Sequence, residues 1–214
     1  MSTVHELLQK RQELLLPTIA RLREELQGMD GRLLAVRAGA DWRENELRLC
    51  LLGEEYAIAW PEVIVRGEDG REARPDVQVL LLTYLRNSDG TPPTGSWLSF
   101  RELPDGGFYH RAFQGYAPDR LAQRFGDDLP AFRRAAEQIG GRREPMGDAA
   151  YGFRALPHLW LAAVLWAGDE EFPAAARILF DETCRRTLAT DLLATLGRWL
   201  VGRLLKAAES GEGG

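Results

Sequence analysis

The chain has 214 residues and a formal net charge of −5, with 45% hydrophobic and 28% charged residues. That composition excludes disorder, and a chain this long buries roughly 70% of its unfolded surface, so it needs no disulfide or metal staple. Lys10 and Lys206 are the only lysines. The arginines occur at most in adjacent pairs beside carboxylates, without the basic stripe that a nucleic-acid partner requires.

Cys50 and Cys184 are the only cysteines, and no CxxC is present. They read as reduced thiols in regular elements. An iron–sulfur cluster normally takes four thiolates, so this chain alone holds none. The N-terminus lacks a signal-peptide pattern: the Leu14-Leu15-Leu16 run is short and follows charged residues. The longest apolar candidate, Leu156 to Gly168, falls short of the ~18 residues needed to span a bilayer. A cytoplasmic protein without a membrane segment is expected.

In chain order, Thr3-Val4-His5-Glu6 has the form of a capping box. Val4, Leu7, Leu8, Leu15, Ile19, Leu22 and Leu26 follow at helical spacing, and Gly28 ends the helix. Pro17 kinks or restarts it. A short helical turn is expected over Arg32 to Arg37. Glu46 to Leu52 and Tyr56 to Trp60 read as strands joined at Gly53, with Val63 to Val65 extending the sheet. A helix begins at Pro75 and stops at Asn87-Ser88-Asp89-Gly90. Asp119 and Asp128 look like N-caps of two further helices. Ala150 to Leu156 and His158 to Trp166 form a second strand pair. Pro173 to Arg186 and Asp191 to Lys206 read as closing helices.

The strands come in local pairs, so the expected fold is α+β: one mainly antiparallel sheet from two strand pairs, packed with helices at both ends of the chain. A single domain is expected over residues 1–209, with residues 210–214 as a disordered tail.

No phosphate loop, GxGxxG, GxSxG or HExxH string is present. Two segments carry more chemistry than packing requires. Thr94 to Pro104 with Phe108-Tyr109-His110 mixes aromatics with Arg101, Glu102, Tyr109 and His110 in a loop-rich stretch. Arg101 offers a planar fork to a carboxylate or phosphate, and Tyr109 and His110 offer donors or an acid/base pair. The plainer reading has Trp97 and Phe100 anchoring the loop and Arg101 paired with Glu102 or another carboxylate.

The second segment, Leu165 to Pro173, places Asp169, Glu170 and Glu171 beside Trp166 and Phe172. Asp169 capping a helix explains it plainly. The sharper alternative is a hard-cation site of Asp169 and Glu171, with Asp148 or Asp181 added. Charge balance leads to the expectation that Arg101 lies close enough to this junction to interact.

The strings Leu82-Thr83-Tyr84-Leu85, Ser99-Phe100-Arg101-Glu102-Leu103-Pro104, Gly147-Asp148, Gly168-Asp169-Glu170-Glu171-Phe172-Pro173 and Leu179-Phe180-Asp181 resemble a prokaryotic family known mainly as a domain of unknown function. The resemblance runs from about residue 30 to 205. It implies an association with corrinoid chemistry, because some relatives carry a cysteine-rich iron–sulfur module like that of corrinoid iron–sulfur proteins. This chain has no such module.

The leading expectation is a small intracellular binding or accessory protein, serving a metalloprotein or redox system, with another protein as a candidate partner. The alternative is a small enzyme whose site combines the two segments. Ligand-binding candidates are Arg101, Glu102, Tyr109, His110, Trp166, Asp169 and Glu170. No particular cofactor is indicated.

Overall fold

A computed structural model describes residues 12–211. The Thr3–Glu6 capping box and Val4, Leu7 and Leu8 lie outside the described residues. The described chain clusters into two compact units, one of residues 12–91 and 186–188, the other of residues 92–185 and 189–211.

The first unit opens with α1 (Leu16–Gln27) and α2 (Gly31–Ala38). Pro17 sits in the first turn of α1, where its missing N–H has no helical partner to lose. Asp30 caps α2, accepting the N–H of Arg32 at 2.9 Å and of Leu33 at 3.3 Å. An antiparallel sheet follows, in the order β1 (Asp41–Arg43), β2 (Glu46–Leu51), β3 (Glu54–Ala59), β4 (Ile64–Gly67). Leu52 and Gly53 make the β2–β3 turn with φ of 50° and 86°, the positive pair that a two-residue hairpin demands. Helix α3 (Pro75–Asn87) packs against α1. Tyr84 is fully buried in it, and its hydroxyl is satisfied by the Ala38 carbonyl at 2.9 Å.

The second unit holds a five-stranded antiparallel sheet. Its order is β5 (Trp97–Ser99), β9 (Ala175–Asp181), β8 (Leu159–Trp166), β7 (Ala149–Leu156), β6 (Arg142–Arg143). Helices α4 (Gly106–Tyr116), α5 (Pro118–Phe125) and α6 (Leu129–Gln138) lie between β5 and β6 in sequence. Helix α7 (Cys184–Thr187) and the long α8 (Thr190–Gly211) close the chain. The core gathers Phe113, Phe125, Phe132, Tyr151 and Phe180, each under 2% exposed.

The architecture is α+β and antiparallel, with helices toward both ends of the described chain. Four details depart from expectation. The two strand pairs enter two sheets, because β1 and β4 flank the first pair while β9 and β6 flank the second. Ala175–Asp181 is a strand and not a helix: Ala176, Ile178 and Phe180 alternate with exposed or half-exposed residues, a period of two. Pairing with β8 and β5 overrides the helix propensity of its Ala, Arg and Leu residues. Asp128 does cap α6, accepting the Ala131 N–H at 2.9 Å, but Asp119 lies inside α5, whose cap position is Ala117. Helix α8 runs on through Ser210 to Gly211.

Candidate ligand-binding site

The site starts from the β5–β9 ladder. Its register is Trp97↔Asp181, Leu98↔Phe180 and Ser99↔Leu179. Continued two residues further, that register leads to Arg101 and Arg177, and there the chain leaves the ladder in a 3-10 turn over Phe100–Glu102. Glu102 locks the turn: its Oε2 accepts the Ser99 N–H at 2.8 Å and the Ser99 hydroxyl at 2.7 Å. These two bonds hold the Glu102 carboxyl below its ordinary range. Glu102 is therefore spent on the turn and does not pair with Arg101.

At the other end of the ladder, Asp181 is fully buried. Its Oδ2 accepts the N–H groups of Thr94 at 3.0 Å and Gly95 at 2.7 Å. Its Oδ1 accepts the Thr183 N–H at 3.0 Å and hydroxyl at 2.7 Å. Four donors satisfy both oxygens, so this carboxylate ties the Thr94–Gly95 loop to the end of β9. It is structural, and not an addition to the acidic junction.

Where the ladder opens, a concavity of about 480 Å³ lies between the 3-10 turn, α4 and the start of β9. Ser99, Arg101, His110, Gln114 and Arg177 supply its polar lining, and Phe100 and Phe113 are among its apolar walls. Phe100 and Phe113 stack at 4.1 Å between centroids, and both touch Phe180. That cluster makes the back of the concavity rigid. Gln114 donates to Asp119 Oδ1 at 2.7 Å and to the Ala176 carbonyl at 3.4 Å, fastening α4 to α5 and β9.

The electrostatics are uneven. No Asp or Glu lines the concavity. Among the described residues Arg101 makes no ion pair, and Arg177 has only a cation–π contact, its guanidinium 5.4 Å from the Trp166 ring centroid. His110 Nδ1 is shielded from solvent and has no hydrogen-bond partner.

The acidic junction lies apart from this. Asp169 and Glu170 line a second concavity of about 740 Å³ with Asp119, Gln123 and Asp127. No helix begins at Asp169; its Oδ1 accepts the N–H of Glu171 at 2.9 Å and of Phe172 at 2.7 Å, turning the chain into β9. Those bonds lower the Asp169 pKa. Asp148 accepts the Ala167 N–H at 2.9 Å. Among the described residues no group of three or more His, Cys, Asp or Glu side chains converges as a metal site. No ion pair joins Arg101 to Asp169, Glu170 or Glu171; the two segments line different concavities, so the expected contact does not form.

Of the remaining candidates, Tyr109 is exposed on the first turn of α4, which is helical where a loop was expected. Trp166 is half-buried beneath Arg177. Arg177 and Gln114 escaped the sequence reading. The period-two pattern of Ala176, Ile178 and Phe180 would have placed Arg177 on the open face of a strand.

Taken together, the chain is an α+β protein whose second unit carries a carboxylate-free basic concavity. It belongs to the family described as domain of unknown function DUF3786, whose model matches residues 30–203. No curated protein and no solved structure matches it. Among the described residues no helix is long and apolar enough to cross a membrane.

Proposed function

We propose that the second unit is a binding module for a small organic anion, held between the 3-10 turn, α4 and β9. The observation that carries this reading is the pair Arg101 and Arg177. Both line one concavity that holds no carboxylate, and neither has an ion-pair partner among the described residues. Two like charges on the lining of one concavity repel each other, and an anion bound there lowers that cost. Guanidinium forks suit carboxylate or phosphate oxygens, and the aromatic wall suits an apolar body.

The SFRELP and GDEEFP segments line different concavities, which supports binding over an enzyme that joins them in one cleft. Cys50 and Cys184 are not joined in a disulfide, which supports a reducing compartment such as the cytoplasm. A thermal-shift titration with inorganic phosphate and with acetate, against chloride at matched ionic strength, tests the reading. The melting temperature should rise with either anion in the intact chain and stay flat in the Arg101→Ala/Arg177→Ala variant. An equal rise in both proteins would refute it.

A further inference from the structure

Resting on the anion-binding reading, we infer that the ligand is a phosphate monoester with an apolar body, held from three sides by Arg101, Arg177 and His110. The three side chains come from three different elements: the 3-10 turn, β9 and α4. A planar carboxylate presents its two oxygens in one plane, which suits donors that approach within that plane. A phosphate monoester has three terminal oxygens and a charge near −2, which matches two guanidinium groups and one further donor.

His110 supplies that donor. A shielded imidazole nitrogen without a partner is costly, and it calls for an explanation. His110 lines the concavity. A phosphoryl oxygen bound in the concavity would give the imidazole the partner that its Nδ1 lacks. Gln114 does not compete for the phosphoryl group, because its amide N–H groups are given to Asp119 and Ala176.

The volume decides the rest. About 480 Å³ falls within the ~300–1,000 Å³ of small-molecule sites and exceeds what a bare oxyanion fills. The space left over is bounded by Phe100, Phe113, Pro118 and Ile178. The ester group therefore has apolar side chains along part of its surround.

Titration calorimetry on the full chain tests the inference with three probes: phenyl phosphate, inorganic phosphate and phenylacetate. Phenyl phosphate should bind at least tenfold more tightly than either of the others. His110→Phe should weaken phenyl phosphate at least fivefold more than it weakens phenylacetate. His110→Asn, read alongside circular dichroism, guards against a folding defect in the first variant. Phenylacetate binding as tightly as phenyl phosphate overturns the phosphate assignment while the anion reading stands. Phenyl phosphate affinity unchanged in both His110 variants overturns the three-sided cradle. Absence of binding by all three probes, or binding that survives loss of both arginines, overturns the anion reading itself.

Discussion

Glu102 bonds Ser99 through two hydrogen bonds to one carboxylate oxygen, and this leaves the neighbouring Arg101 without a partner from its own segment. The turn thus spends its acid on backbone geometry and presents its base to the concavity.

Arg101 should be dispensable for folding. It is exposed and makes no ion pair among the described residues. Arg101→Ala should change unfolding free energy by no more than about 0.5 kcal/mol, as surface substitutions do. Urea denaturation measures it. A loss of several kcal/mol would mean that the side chain serves the fold.

Glu102→Gln should loosen the turn and lower stability at neutral pH. The sign of its pH dependence follows from the depressed carboxyl, whose ordinary value is 4.5. A lowered folded-state pKa contributes stability above pH 4.5, and that contribution disappears as pH falls through the folded value. The gap between wild type and variant should therefore close below pH 4.5. Melting curves from pH 7 down to 3 give the comparison; a gap that widens with acid would contradict this account.

Asp181→Asn should be far more damaging. An amide in place of the carboxylate sets its NH2 group against two donors, either Thr94 and Gly95 or the Thr183 pair. Each buried donor left unsatisfied costs about 1–3 kcal/mol, so a loss of about 2–5 kcal/mol is expected. Chemical denaturation would show it, together with earlier proteolysis in the Thr94–Gly95 loop.

Cys184 should resist modification in the native protein. Burial, and then the Asp181 carboxylate, push its thiol up to about 12, so almost no thiolate exists at neutral pH. Iodoacetamide at pH 8 followed by mass spectrometry should label Cys50, which is half-buried, well before Cys184. Equal labelling rates in native protein would show that Cys184 is accessible.

What the sequence by itself determined is the local structure. The Leu47, Leu49 and Leu51 alternation, the Gly53 turn and Pro75 at a helix start are each decided within a few residues. The β2–β3 and β7–β8 hairpins follow from them, and so does the antiparallel α+β class. Arg101 and His110 could be named from their segment's chemistry alone. Only the tertiary structure decided what they face. Arg177 joins them on the lining of one concavity because β9 pairs with β5 across about eighty residues, and that pairing turned a helix-prone stretch into a strand. The same pairing buried Asp181 as a tie. Side-chain charge is a property of the sequence, but the partner of a charge depends on which distant elements meet, and burial against β8 and β5 made that choice here.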